Sequence, residues 1–170
     1  FKNPGLVVNP THRLIHEVPD DVLSSLENLL ERDFRLTRHS TPEELLAGLE
    51  SAPDSAFGVW CPAIGLTVVA EQRRPRRGGE PLEGLSVFVL QEKVLKGVLG
   101  FTQDMIDRKA NIDYVKDLEN AKASMESGEH RLCLLVKAPS VTQVMAVAEG
   151  GEKMPPKSTY FSPKIWSGTL

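Results

Sequence analysis

The segment Leu132-Cys133-Leu134-Leu135-Val136, followed by Ser140-Val141-Thr142-Gln143, decides the fold class. Consecutive apolar residues predict a strand that is buried on both faces, and a serine followed three positions later by a glutamine predicts a capped helix start. Upstream, Ile112-Asp113-Tyr114 predicts a strand and residues 115–125 predict a helix. Strand, helix, strand and helix in this order indicate a βαβ-like unit in which part of the sheet is parallel.

The front half of the sequence predicts antiparallel pairing instead. Two apolar runs, 56–60 and 64–70, flank Cys61-Pro62-Ala63, which is the pattern of a β-hairpin. Two helices are predicted before it, one with Asp20 as its N-cap and one opened by the capping box Thr41-Pro42-Glu43-Glu44. We therefore expect an α/β chain of the α+β type: a mixed sheet with flanking helices, antiparallel in the front half and βαβ-like in the back half.

The composition is that of an ordinary globular domain. With 170 residues, 41% of them hydrophobic and 25% charged, residues 1–170 are predicted to form a single domain with a normal core. A net charge of −3 argues against binding to nucleic acid or to a membrane surface by bulk electrostatics. No apolar run approaches the ~20 residues of a membrane helix. Cys61 and Cys133 lie in separate apolar runs, which predicts buried free thiols in a cytoplasmic protein.

Residues 72–84 predict a flexible linker. The stretch from Arg73 to Gly79 contains arginines, proline and glycines but no apolar side chain to bury. The arginine run from Arg73 to Arg77 lacks interleaved aromatic residues and belongs to an acidic chain, so a solvated linker is favoured over a nucleic-acid contact.

Two polar segments carry the candidate binding residues. Thr11, His12 and Arg13 directly follow a predicted strand, where binding residues of α/β proteins usually lie; His12 could act as a general base or a ligand, and Arg13 could hold an anion. Near the other end, Lys157, Ser158 and Thr159 offer one cation and two hydroxyl groups, which suits phosphate or carboxylate recognition. The alternative is that Lys157 is solvated while the neighbouring aromatic residues pack on the core. Prolines, not glycines, precede Lys157, so the segment is not a P-loop.

The histidines do not predict a metal site. His12 and His16 have the spacing of a metal-binding pair on a helix, but the residues between them predict an extended chain. His39 and His130 stand alone in the sequence and are interpreted as surface or satisfied polar positions. The sequence also lacks a nucleophile elbow, a glycine-rich dinucleotide loop and zinc-ligand spacing.

Three segments resemble motifs of one known family, the domain-of-unknown-function 1015 family. They are Pro4 to Arg13 (PGLVVNPTHR), Ile112 to Asp117 (IDYVKD) and Met154 to Lys164 (MPPKSTYFSPK). The chain departs from the pattern at Asn9 and Ser162, where an aliphatic and an aromatic residue are expected. Members of the family are longer and carry an upstream Asp-Gly-His-His-Arg motif similar to that of ParB-like proteins, a superfamily that includes nucleotide-binding proteins and serine kinases.

The resemblance implies that this chain is the C-terminal portion of a longer protein, with the N-terminal remainder as its partner and a homodimer as a further option. The favoured interpretation is a domain of unknown function that is not catalytic alone. The second is half of a nucleotide- or phosphate-binding site of a serine kinase-like phosphotransferase, whose cofactors would be a nucleotide and Mg²⁺. It requires His12-Arg13 and Lys157-Ser158 to converge on one concave face. The third is an accessory domain of a ParB-like nucleic-acid-associated protein, which requires Arg73 to Arg77 to join a basic patch.

Overall fold

A six-stranded sheet carries the fold in the computed structural model, which describes residues 7–75 and 78–162. The strands in chain order are β1 (Val7–Asn9), β2 (His12–Ile15), β3 (Phe34–Arg38), β4 (Phe57–Cys61), β5 (Leu66–Gln72), β6 (Ile112–Val115), β7 (Leu132–Val136) and β8 (Tyr160–Ser162). The large sheet has the order β3-β5-β4-β7-β2-β6, and β1 pairs with β8 in a separate two-stranded sheet. Every pair formed between these strands is antiparallel.

Helices cover both faces of the large sheet. They are α1 (Asp20–Glu31), α2 (Pro42–Glu50), α3 (Ser86–Val89), which continues into a π-helical segment (Leu90–Lys96), α4 (Gln103–Asp107), α5 (Leu118–Glu126) and α6 (Val141–Glu149). Because side chains alternate along a strand, adjacent residues of β2 enter different cores. Ile15 packs in the larger core with α1 and the π-helical segment, whereas Leu14 packs in the smaller core with α2 and α5.

The predicted class, a sheet with flanking helices in an α+β arrangement, is confirmed, but the parallel pairing expected in the back half is wrong. β6 and β7 are joined through α5 and run in the same direction, yet each pairs antiparallel with β2, which lies between them. The unit is therefore a split βαβ. Strand and helix periodicity predicts the order of the elements along the chain. It carries no information about the insertion of β2 between β6 and β7.

Local signals at the helix starts were mostly correct. Thr41 Oγ1 accepts a hydrogen bond from Glu44 N at 3.1 Å, and the full capping box of Ser140 and Gln143 is present. The expected N-cap at Asp20 is wrong by one residue, because Pro19 occupies that position and Asp20 instead accepts from Arg131 Nη1 at 2.8 Å.

The middle of the chain is divided into more, shorter helical segments than its apolar periodicity predicts. The apolar spacing of residues 85–99 predicts a single helix of about four turns, but the structure has a short 3-10 helix (Pro81–Gly84), α3 and the π-helical segment instead. Ordered structure enters both ends of the predicted 72–84 linker, since Gln72 ends β5 and Leu82 is buried, while Arg76 and Arg77 lie outside the described residues.

The predicted hairpin and thiols are confirmed. β4 and β5 pair across a 3-10 helix (Pro62–Ile64), and Cys61 and Cys133 are free and buried. In the part of the chain that the structure describes, no helix has both the length and the apolar character to cross a bilayer.

Candidate functional site

The small β1–β8 sheet brings the two candidate segments together. Asn9 pairs with Tyr160, so the residues that follow β1 lie beside those that precede β8. As a result, Thr11, Lys157 and Thr159 line one cleft of about 450 Å³. The other residues that line it come from β6, the loops at its two ends and the start of β8: Lys109, Ile112, Asp113, Tyr114, Lys116 and Tyr160.

The cleft is cationic. Among the residues that the structure describes, three lysines line it, Lys109, Lys116 and Lys157, against one carboxylate, Asp113. Lys116 Nζ lies 3.5 Å from the centroid of the Tyr160 ring, a cation–π contact that holds the ammonium group against the wall. Two threonines add hydroxyl groups that can donate or accept hydrogen bonds. Such a lining suits a ligand with several negative charges.

Lys157 reaches the cleft from an unusual backbone position. Ser158 N donates to Pro155 O at 3.3 Å and closes a β-turn in which Pro156 is second and Lys157, with a φ of 58°, is third. Proline at the second position with a positive φ at the third defines a type II turn, where glycine or asparagine normally stands third. Lys109, which also lines the cleft, has a positive φ of 55° as well. Non-glycine residues persist in this region only where the surroundings hold them, and such positions cluster at functional sites.

Arg13 lies behind the cleft and ties its two segments together. The side chain is buried, with Nη1 donating to Thr11 O and Nη2 only 3.5 Å from Pro156 O. Its Cζ lies 5.4 Å from the centroid of the Tyr114 ring, directly across the β2–β6 pair. Burial lowers the pKa of Arg13 to about 10, which leaves the guanidinium charged at neutral pH. Arg13 therefore positions the wall of the cleft and does not itself line it.

His12 and Ser158 are also framework residues in this structure. His12 is 1% exposed, and its Nδ1 accepts a hydrogen bond from Val136 N at 3.2 Å. Burial, reinforced by the charge of Arg13, lowers the pKa of His12 to about 4. Ser158 Oγ donates to Pro155 O at 2.6 Å inside the turn. Of the six predicted site residues, the structure thus brings Thr11, Lys157 and Thr159 to the cleft and leaves three buried behind it.

A second polar cluster, formed by His16, Asp113 and His130, lies at the rim of the cleft and escaped sequence reasoning. Asp113 Oδ2 is 2.7 Å from His16 Nε2 and 2.8 Å from His130 Nε2, and the two imidazole centroids are 4.2 Å apart. The hydrogen bond from His130 is the main reason that the pKa of Asp113 lies below its usual value. The interpretation of His130 as a lone residue is wrong, because the inserted β2 brings His16, which follows it, between the other two chain segments.

The arginines of the predicted linker lie elsewhere. Arg73 and Arg74 line a cleft of about 400 Å³ together with Arg32 and Lys93, next to the β3–β5 edge of the sheet. Arg73 Nε donates to Glu31 O at 2.9 Å, which orients that side chain.

No family model and no curated protein matches this chain. Its fold is similar to solved structures. A conserved hypothetical protein from Pyrococcus furiosus matches with a TM-score of 0.56 and 24% identity over 94% of this chain and 57% of that one. A free serine kinase in complex with AMP matches with a TM-score of 0.55 and 22% identity over 94% of this chain and 55% of that one. At these identities the likeness shows the fold alone, and the chain spans a little over half the length of either structure.

Proposed function

We propose that this chain forms the phosphate-binding side of a nucleotide-dependent, serine kinase-like phosphotransferase, completed by other parts of the protein. The observation that carries the proposal is the convergence of Lys109, Lys116 and Lys157 on one cleft with two threonines. Lysine binds phosphate as a point charge. The positive charge of the three lysines exceeds the negative charge of Asp113, the single carboxylate in the described lining. A monocarboxylate ligand would match only half of the resulting net charge of about +2, whereas the two negative charges of a phosphate group would match it.

Size and fold support a nucleotide as the ligand. A cleft of about 450 Å³ lies in the usual range for small-molecule sites, ~300–1,000 Å³. The fold neighbour described as free serine kinase is in complex with AMP. We also propose membership of the domain-of-unknown-function 1015 family, on the motifs at residues 4–13, 112–117 and 154–164, and a cytoplasmic location.

The chain by itself is proposed to bind without catalysing. A phosphoryl transfer needs a group that orients or deprotonates the acceptor. In the described part of the cleft lining the carboxylate of Asp113 is held by two histidines, and His12 is buried behind the wall. The same lining offers Mg²⁺ a single carboxylate, so a magnesium ion would arrive with the nucleotide and depend on groups from the rest of the protein.

Thermal shift measurements test the proposal. The chain and its full-length protein are heated with AMP, ADP, ATP, inorganic phosphate or serine, each with and without Mg²⁺. A ligand at a hundred times its Kd stabilises the folded state by about 2.7 kcal/mol, which corresponds to a rise in Tm on the order of 5–10 °C for a chain of this size. Lys157→Gly should abolish the rise relative to its own unliganded Tm.

Lys153→Ala is the matched control, because Lys153 is an exposed lysine of the same segment that does not line the cleft. The rise should be retained in this variant. Absence of any shift in both proteins with all five ligands would refute the proposal.

A second candidate rests on the cleft lined by Arg32, Arg73, Arg74 and Lys93. Arg73 and Arg74 of the Arg73–Arg77 run lie beside two further cations there, which supports an accessory role in nucleic-acid binding. Four phosphate contacts would make the logarithm of the binding constant for duplex DNA fall with the logarithm of salt concentration with a slope of about −3.6. Fluorescence anisotropy with a labelled duplex measures this slope, and a flat salt dependence excludes this candidate.

A further inference from the structure

We infer that His16, Asp113 and His130 form a binding site for one divalent transition-metal ion of the zinc type. The inference does not depend on the proposed function, because His16 and His130 take no part in it and only Asp113 also lines the cleft. One possible ligand atom of each residue, an imidazole nitrogen or a carboxylate oxygen, lies within 4.8 Å of the other two. Two histidines and one carboxylate are a recurrent ligand set for zinc and for non-haem iron.

The hydrogen bonds of His16 point to a cation. Its Nδ1 lies 3.2 Å from Glu129 O, a carbonyl that can only accept, and its Nε2 lies 2.7 Å from the carboxylate of Asp113. The ring therefore faces an acceptor on each side. Both contacts are satisfied only when both nitrogens carry hydrogen or when a cation takes the place of the hydrogen at Nε2. Metal-bound histidines have this arrangement, with one nitrogen on the ion and the other N–H donating to a backbone carbonyl.

A simple ion pair is a weaker explanation for the cluster. The side chains of His16 and Asp113 are 39% and 53% exposed, and exposed ion pairs contribute about 0–1 kcal/mol. The two imidazoles are nevertheless held with their centroids 4.2 Å apart, and both Nε2 atoms contact the same carboxylate oxygen. Without an ion these are hydrogen-bond distances, and they leave two imidazoles and one carboxylate side by side, as a shared ion would need them.

Backbone contacts position the three ligands before any metal binds. Arg131 N donates to Ile15 O at 2.8 Å, which ties the residue after His130 to the residue before His16. On the other side, Asn111 O accepts from His16 N at 3.2 Å. The Asn111 side chain makes two further bonds of 2.7 Å to the backbone of Glu17, and its φ is 63°. The ligands thus lie on the central sheet or directly beside it, and not on a free loop.

The distances require a small adjustment on binding. Tetrahedral zinc with bonds of about 2.0 Å separates its ligand atoms by about 3.3 Å. The Nε2–Oδ2 separations here are 2.7 and 2.8 Å, so the side chains must move apart by about half an ångström. The exposed side chains of His16 and Asp113 can rotate by that amount, while His130, at 6% exposed, stays fixed. Three protein ligands leave a position for water, as in catalytic zinc sites.

Isothermal titration of tag-free, EDTA-treated protein with Zn²⁺ tests the inference, with Co²⁺ absorption as a second readout. We expect one ion per chain. His16→Asn and Asp113→Asn each remove one ligand at an exposed position and should weaken binding by about tenfold to a hundredfold or more. His39→Asn is the control, because His39 is a partly exposed histidine outside the cluster, and it should bind zinc as tightly as the native chain.

His130→Gln is the third ligand variant, but His130 is buried and its replacement can affect folding. The two variants at exposed positions keep the test decisive, since circular dichroism verifies that they are folded. No stoichiometric uptake of zinc by the native chain, or equal uptake by the His16→Asn and His39→Asn variants, would overturn the inference.

Discussion

Replacing Lys157 by glycine and by alanine separates the role of its charge from the strain in its backbone. Lys157 has a φ of 58° at the third position of the turn closed by Ser158. The left-handed conformation costs an L-residue about 1–2 kcal/mol, and glycine nothing. Glycine in turn loses about 0.5–1 kcal/mol more conformational entropy than alanine on folding. The difference predicts that Lys157→Gly is more stable than Lys157→Ala by about 1 kcal/mol.

At Lys153, in the same segment, the order of stability of the glycine and alanine variants should be reversed. It is exposed and is not among the residues with positive φ, so only the entropy term applies and alanine should be the more stable replacement by about 0.5–1 kcal/mol. Urea denaturation followed by circular dichroism measures all four variants, at a common m-value. For a chain of this size 1 kcal/mol corresponds to roughly 2–4 °C in Tm.

The test is whether Lys157→Gly is more stable or less stable than Lys157→Ala. If alanine is at least as stable as glycine there, the left-handed turn is refuted, and with it the way in which Lys157 reaches the cleft. Both Lys157 variants lack the ammonium group, so both should lose the phosphate-dependent thermal shift equally whatever their stability.

Three further predictions concern the framework. Because the pKa of His12 is about 4 in the folded chain and 6.5 in the unfolded one, the unfolded state binds more protons between these values. Stability should therefore be complete above about pH 6.5 and fall by about 3 kcal/mol as the pH drops to 4. His12→Asn, whose amide oxygen can accept from Val136 N, should flatten this part of the urea-measured pH profile; an unchanged slope would exclude His12 as its source. Ser140→Ala removes the capping box of α6 and should lower the free energy of unfolding by about 1 kcal/mol in urea titrations, whereas Ser24→Ala within α1 should change it far less. Burial raises the pKa of Cys133 to about 12, so its thiolate fraction falls on the order of a thousandfold. Dithiobisnitrobenzoate should therefore label Cys133 at pH 8 only after the chain unfolds. Rapid labelling of the native chain would contradict its burial.

Local signals in the sequence were sufficient where one segment determines its own structure. The hairpin at β4 and β5 and the caps at Thr41 and Ser140 depend on residues a few positions apart, and the structure confirms them. The insertion of β2 between β6 and β7 depends on contacts about 97 to 121 residues apart along the chain, for which periodicity gives no signal.

The sequence likewise indicated some residues of the candidate site and not others. The residue types of Thr11, Lys157 and Thr159 pointed to anion binding, and all three line the cleft. Lys109, Lys116 and His130 were not singled out, because an isolated lysine or histidine is unremarkable until the register of β6 against β2 is known. The burial of His12 and Arg13 could not be read from their sequence, since adjacent polar residues rarely occupy a strand covered on both faces.

The pairing of β1 with β8 also has a consequence for the order in which the molecule matures. Chains are synthesised from the N-terminus, and domains begin to fold as they emerge. All six strands of the large sheet have been made once Val136 is added, but the cleft lacks Lys157 and Thr159 at that stage. The contact of Arg13 with Pro156 spans 143 residues, so it forms only when almost the whole described chain has left the ribosome. A nascent chain stalled before Lys157 can therefore build the sheet while its cleft is still incomplete, so binding of the proposed phosphate ligand would report that synthesis has passed Thr159.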